Sequence, residues 1–207
     1  MAAPVGVKWL KTPNGDQYEL NYPPEAGRSG VMGQTLLHCI VAADGYMQDC
    51  KVLSEAPKGK GFAEAALKMS RYWQMPANYR DGTPTVRTVF DTVIVWKMSD
   101  SHPRDLVSAV TNPPWTSIPS TTDIQNAAPD IGKAGTTLKL RCYITDGGGL
   151  AGCSGVDSDH LSLALRSLLE KFVVSPAWRA QYDTLMQVEL SLQLPQTIPA
   201  PTPATKP

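Results

Sequence analysis

The sequence predicts an α+β fold in which one β-β-α-β unit occurs twice. Three observations predict it. Each half of the chain contains two cysteines 11 positions apart, at Cys39 and Cys50 and at Cys142 and Cys153. An apolar stripe with helical spacing follows each pair, and a β-rich segment follows each stripe. Because the same features recur in the same order, we interpret the chain as a tandem repeat.

The composition is that of a folded protein without net charge. The chain has 207 residues, of which 42% are hydrophobic, and 19 Lys and Arg balance 19 Asp and Glu. A neutral chain lacks the long-range attraction to phosphate of a general nucleic-acid binder. No stretch approaches the roughly 18–20 apolar residues of a bilayer span, so no membrane span is expected in this chain. Its first residues also lack the pattern of a signal peptide.

The cysteines of each half flank a glycine-containing turn between two predicted strands. The midpoint between Cys39 and Cys50 falls at Asp44-Gly45, and the second pair is centred on the glycine run Gly147–Gly149. Directly opposed residues of a hairpin lie about 4.5–5.5 Å apart, within disulfide reach. We therefore favour two disulfides, Cys39–Cys50 and Cys142–Cys153, and with them an oxidising compartment.

Two other states of the cysteines compete with this interpretation. A structural zinc site is disfavoured, because such sites use cysteines about two to four residues apart. Four free thiols buried in the core remain the alternative for a cytosolic protein. In the second half the cysteine face also carries Leu138, Leu140 and Ile144, so it should lie under the helix.

The segment after each hairpin is predicted to be an amphipathic helix. Apolar residues recur at helical spacing in both halves. Pro76-Ala77 and Pro176-Ala177 are expected to close the two helical regions, and Asp157, Ser158 and Asp159 to cap the second helix. The stripes comprise Phe62, Ala65, Ala66, Met69 and Trp73 in the first half and Leu161, Ala164, Leu165, Leu168 and Phe172 in the second.

A β-rich segment, residues 86–96 and 182–194, completes each unit. The predicted domains are residues 1–105 and 106–195, followed by a Pro/Thr-rich disordered tail at 196–207. Trp73 belongs to the core stripe. Trp9 and Trp115 recur before the two units, where each covers an open end of a sheet or contacts a partner; we favour the covering role.

The sequence offers no convincing catalytic, cofactor or metal site. Gly59-Lys60-Gly61 lacks the third small residue of a dinucleotide fingerprint and is better explained as a strand-to-helix connection. His38, His102 and His160 occur in unlike positions and form no ligand pair. No nucleophile elbow is present around Ser154. We therefore expect no cofactor, no metal and no enzymatic activity.

Several short motifs resemble the C-terminal domain of TonB energy transducers. Their order and spacing agree with that family across nearly all of the first half. The second half keeps the cysteines, the helical stripe, Pro-Ala and the last strand, and therefore resembles a degenerate second copy. The motifs are Tyr22-Pro23-Pro24-Glu25-Ala26, Gly33-Gln34-Thr35-Leu36-Leu37, Ala43-Asp44-Gly45, residues 61–67, residues 72–77 and Asp81-Gly82-Thr83-Pro84.

The resemblance implies a fold, a compartment and a partner. Each unit would be a three-stranded antiparallel sheet with one helix packed on a face, in the periplasm of a Gram-negative bacterium. Family members bind a segment of an outer-membrane transporter by adding it as a strand to the sheet. Carried over, the binding edge would be the last strand, with Thr184–Leu194 as its equivalent in the second half. The implied partner-binding residues are Arg87, Val89, Asp91, Val93 and Val95.

This sequence also departs from an energy transducer. It shows neither the N-terminal membrane helix nor the long Pro-rich spacer of that class. The predicted partner is thus an outer-membrane transporter or another envelope protein. The competing hypothesis is a structural or assembly protein in which the two repeats seal each other's sheet edges and bind no peptide.

Overall fold

The computed structural model describes residues 8–97, 107–155 and 161–196, and it has a mixed α+β fold. We call residues 8–97 the first half and the rest of the described chain the second half. The first half contains α1 (Gly15–Asn21), α2 (Pro24–Arg28), β1 (Gly33–Val41), β2 (Met47–Ala56), α3 (Phe62–Ser70) and β3 (Val89–Trp96).

The second half follows a similar order with additional elements. Two short strands and a helix precede its hairpin, and a further short strand and helix precede its last strand. Its elements are β4 (Val107–Val110), β5 (Trp115–Ser117), α4 (Thr121–Ile131), β6 (Thr137–Ile144), β7 (Leu150–Ser154), α5 (Leu163–Leu169), β8 (Val173–Val174), α6 (Pro176–Arg179) and β9 (Leu185–Gln193).

Three sheets contain these strands. The first half forms an antiparallel sheet of order β2-β1-β3. The second half forms a sheet of order β4-β9-β6-β7, in which β4 runs parallel to β9 and the other pairs are antiparallel. Strands β5 and β8 form a small separate ladder.

Both predicted disulfides are confirmed. Cys39–Cys50 links β1 to β2 and Cys142–Cys153 links β6 to β7, each with 4.0 Å between the Cα atoms. The described residues contain no free cysteine, so the zinc and free-thiol alternatives fail. Each bridge lies where the hairpin register shifts, which brings the two cysteines opposite one another.

Each helical stripe packs on one face of its sheet, as expected from the spacing. Phe62, Ala65, Ala66, Met69 and Trp73 all lie in the core that α3 forms with Leu37, Cys39 and Val41. Leu165, Leu168 and Phe172 lie in a second core with Leu140, Cys142 and Ile144, and Leu161 packs against it. The core assignment of Trp73 and of the cysteine faces is thus confirmed.

The two recurring tryptophans both pack against their own half. The Trp9 ring lies 5.1 Å from Phe90 and 6.4 Å from Trp73, and the Trp115 ring lies 5.3 Å from Phe172. These contacts agree with the favoured covering role.

Several helix boundaries differ from the sequence prediction. Helices α3 and α5 end at Ser70 and Leu169, before the last stripe residues Trp73 and Phe172. Pro176 does not merely end a helical region; it starts α6, because proline suits the first turn of a helix and the Ser175 hydroxyl accepts the Trp178 N–H. Helix α5 begins later than its stripe, capped by Ser162, whose hydroxyl accepts the Leu165 N–H. The predicted cap at 157–159, like His102, His160 and the tail after residue 196, lies outside the described residues.

Asp123 stabilises the start of α4, and we expect this contribution to disappear in acid. It forms a capping box with Ser120 and an ion pair with Lys171 at 2.8 Å. These hydrogen bonds, led by that from Lys171, lower the pKa of Asp123 from 3.8 to about 2. A lowered carboxyl pKa stabilises the fold above pH 4, and the effect is lost as the pH falls towards 2.

The prediction is tested by urea unfolding of Asp123→Asn and the parent protein across this range. The variant should be less stable at neutral pH, and the difference should shrink between pH 4 and pH 2. A constant difference in urea midpoint would show that the charge of Asp123 is not the cause.

Candidate partner-binding edge

Strand β3 forms one edge of the first sheet, as the resemblance implied. It pairs with β1 from Val89 opposite Ile40 to Trp96 opposite Gly33. Within the described part of the chain, no second strand forms a ladder with β3. This edge strand is eight residues long, whereas natural proteins often keep edge strands very short. Its outward-facing N–H and C=O groups can pair with a further strand.

The five expected partner-binding residues do not all lie on this strand. Val89, Asp91, Val93 and Val95 alternate along β3 with the buried Phe90, Thr92, Ile94 and Trp96. Arg87 precedes the strand. Its backbone has a φ of +62°, and its N–H donates to the Val41 carbonyl, so it belongs to the turn into β3.

Alternation also separates the backbone groups of β3 into two sets. The Thr88 carbonyl accepts the Val41 N–H and therefore faces β1, whereas the Val89 carbonyl accepts a hydrogen bond from outside the sheet. In an antiparallel strand the N–H and C=O of one residue point the same way. The backbones of Asp91, Val93 and Val95 therefore also point away from β1.

The second half contacts the beginning of this edge. The Arg166 guanidinium donates to the Val89 carbonyl at 3.0 Å. Asp91 accepts a hydrogen bond from the Gly152 N–H at 3.0 Å and lies 2.8 Å from His38 Nδ1. Strand addition at residues 89–91 would therefore compete with contacts from within the chain.

An apolar cluster joins the helix-free faces of the two sheets next to this edge. Its buried members are Leu36, Ala56, Ala151 and Leu185, with Leu53, Val93 and Tyr143 packed against them. Gly152 is required at this contact, because a Cβ there would lie 3.1 Å from Tyr143 and 3.2 Å from Leu36, at a φ of +58°. Alternation along β1 indicated that Leu36 lies on the face opposite the cysteine. Nothing local in the sequence indicated that this face packs against the second half.

A buried arginine links the two halves on the other side of the cluster. The Arg179 side chain is 0% exposed, and its guanidinium donates to Ser54 Oγ at 2.8 Å and lies 3.1 Å from Asp146 Oδ1. Burial lowers its pKa, and the charges of Asp146 and Asp183 oppose that shift. The Arg179 Nε–H donates to the Ile144 carbonyl and its Nη1 group donates to the Tyr182 carbonyl.

Further polar contacts surround this arginine. Ser54 Oγ donates to Asp146 Oδ1 at 2.8 Å, and the Asp146 N–H donates to the Leu53 carbonyl. Lys58 binds Asp146 through its ammonium group and Asp183 through its backbone N–H. The halves are therefore joined by a network in which each buried polar group has a partner.

The corresponding edge in the second half is partly occupied, which corrects the expectation for Thr184–Leu194. Strand β4 pairs with β9 from Leu185 to Val188, and Ser108 Oγ lies 2.8 Å from Thr184 Oγ1. The predicted equivalence overlooked β4, because four residues of mixed polarity carry little strand signal.

The described ranges contain neither a candidate membrane span nor a candidate metal site. No helix there has the length and apolar character needed to cross a membrane. No group of three His, Cys, Asp or Glu side chains there is arranged to hold a metal ion.

A comparison with known protein families bears on the first half. Residues 18–98 match the family model described as Gram-negative bacterial TonB protein C-terminal. The matched segment contains both strands of the first hairpin, α3 and the whole of β3. Among curated proteins, no match to the chain is found.

Proposed function

We propose that this protein is a periplasmic interaction module that binds an extended segment of an outer-membrane transporter, or of another envelope protein, by strand addition. The observation that carries the proposal is β3, a strand of eight residues at a sheet edge within the segment that matches the family model. Main-chain hydrogen bonds would give the affinity, and alternate side chains the selectivity. We propose a binding role and no catalytic one.

The structure supports a particular part of the edge for this role. Arg166 and Gly152 contact residues 89 and 91 from the second half. The outward-facing backbone groups of Val93 and Val95 lie beyond those contacts. We therefore propose that residues 93–96 pair with the partner strand first. Pairing that extends to residues 89–91 would require the contacts from Arg166 and Gly152 of the second half to break.

The periplasmic location rests on two independent supports. The matching family model describes a Gram-negative domain. Both cysteine pairs form disulfides, which persist in oxidising compartments.

We also infer that the second half is a divergent copy of the first, with domains at 1–105 and 106–195 followed by the tail at 196–207. The sheet orders β2-β1-β3 and β7-β6-β9 correspond, and each hairpin carries its disulfide at the same place. The turn glycines correspond as well. The Gly45 carbonyl accepts the Met75 N–H and the Gly148 carbonyl accepts the Val174 N–H.

Val95→Pro is expected to abolish partner capture while leaving the fold intact. The substitution removes an N–H that points away from β1, and proline is tolerated at such positions of an edge strand. The measurement is a pull-down from detergent-solubilised envelope with oxidised protein as bait, followed by mass spectrometry. Val95→Thr is the matched control, because it keeps the N–H and a β-branched side chain.

Recovery of an outer-membrane transporter or another envelope protein by the parent and Val95→Thr, but not by Val95→Pro, is the expected result. Far-ultraviolet circular dichroism should show all three proteins folded. Equal recovery by the proline variant would place the partner away from β3.

A second candidate function is an assembly domain without a peptide ligand, in which the two halves seal each other's edges. The contact of Arg166 with the Val89 carbonyl favours it. Amide exchange separates the two functions. Residues 93–95 should exchange quickly if the edge is open, whereas protection throughout 87–95 in the isolated protein favours sealing.

A further inference from the structure

We infer that the first half carries a second binding site, a cleft that accepts a carboxylate-bearing peptide segment. The cleft has a volume of about 510 Å³ and lies where the chain before α1, the β1–β2 turn and the end of α3 meet. It lies apart from the outward-facing backbone of Val93 and Val95, so it is additional to the proposed strand addition. Its polar lining includes Lys11, Asn14, Gln17, Tyr46, Arg71 and Tyr72.

Two cations in this lining have no carboxylate partner among the described residues. Lys11 Nζ donates to the Tyr46 hydroxyl at 2.7 Å and lies 5.3 Å from the centre of that ring. The Arg71 guanidinium lies 5.1 Å from the centre of the Tyr72 ring and donates to its hydroxyl at 3.3 Å. Neither forms an ion pair with any described residue, and the cleft lining contains no Asp or Glu.

Four other polar side chains of the cleft, those of Asn14, Gln17, Tyr46 and Tyr72, also keep hydrogen-bond donors available. The Asn14 and Gln17 side-chain oxygens are used in the capping box of α1, which leaves their amide NH₂ groups. The hydroxyls of Tyr46 and Tyr72 already accept hydrogen bonds from the cations, so their protons remain to be donated. A lining of cations and donors is complementary to an ionised carboxylate, which only accepts.

The backbone holds the cleft in place before any ligand binds. The Leu10 and Lys11 N–H groups donate to the Gln74 carbonyl, and the Gln74 N–H donates to the Lys11 carbonyl. The side-chain amide of Gln74 donates to the backbone carbonyl of Asp44 at 2.7 Å. Leu10 is 62% exposed beside these groups, which favours an acidic residue next to an apolar one in the ligand.

Fluorescence polarisation with a labelled peptide Gly-Leu-Glu-Glu-Leu-Gly tests the site, with the Glu-to-Gln peptide as its control. We expect the acidic peptide to bind in a salt-dependent manner and the amide peptide to bind roughly tenfold more weakly. Lys11→Gln with Arg71→Gln should reduce affinity by about tenfold or more. Lys51→Gln with Lys60→Gln removes an equal charge from exposed positions outside the cleft lining and should leave binding unchanged.

Amide chemical shifts locate the bound peptide independently of affinity. Shifts should concentrate at Leu10, Lys11, Tyr46, Arg71 and Tyr72, and Val95→Pro should not alter them. Equal binding of the two peptides, or shifts confined to β3, would overturn the inference. Inorganic phosphate that binds as tightly as the peptide would also overturn it, by showing a general anion site.

Discussion

Arg179→Met is expected to lower the free energy of unfolding by about 2–4 kcal/mol. The side chain is fully buried and donates to Ser54 Oγ and to the carbonyls of Ile144 and Tyr182, in addition to its pairing with Asp146. Methionine matches the arginine stem in length but leaves these acceptors without a donor. Unsatisfied acceptors in a buried site account for most of the expected loss.

Urea unfolding at neutral pH measures this loss. Arg141→Met is the matched control, because Arg141 forms an exposed pair with Glu189 at 2.8 Å, worth about 1 kcal/mol or less. Comparable losses in the two variants would contradict the role assigned to the buried network. Because Arg179 joins the halves, its variant should also separate the transition into two steps if each half folds alone.

Removal of the first disulfide, by Cys39→Ala with Cys50→Ala, is expected to cost about 3 kcal/mol of stability. The bridge closes a short loop, and the entropy that it removes from the unfolded chain gives roughly this value. Cys39 is also fully buried in the core under α3, so its truncation adds a packing loss.

Urea unfolding with and without a reductant tests this expectation. The parent should lose stability on reduction of both bridges, while the double variant should lose only the share that belongs to Cys142–Cys153. Alkylation of the reduced parent provides a second control. A double variant as stable to urea as the oxidised parent would show that the bridge contributes no stability to the hairpin and the core.

Much of each unit could be predicted from local spacing. Two cysteines equidistant from a turn define a hairpin register, and the structure places both bridges there. The helical stripe identified the buried face of α3 correctly because one apolar face is all that a helix on a sheet requires. Motif spacing likewise indicated the family that residues 18–98 match.

The candidate edge was only partly predictable. The resemblance implied a binding role for Val89, Asp91, Val93 and Val95 on the last strand, and the structure places these four residues on β3. The sequence could not show that Arg166 and Gly152 meet this strand from the second half, since an interface between distant segments has no local period. Arg87 was assigned to the strand because composition does not reveal a left-handed backbone, which depends on the turn that closes the sheet.

The sequence by itself determined the disulfide-linked hairpin, the following helix and the last strand of each half, and the faces that form each core, because these depend on spacing along a few neighbouring residues. Only the tertiary structure decided which edges stay open. The pairing of β4 with β9, and the burial of Arg179 against Ser54 and Asp146, join residues far apart in the chain. Such contacts are selected by shape and polar partners that arise only after both sheets have formed.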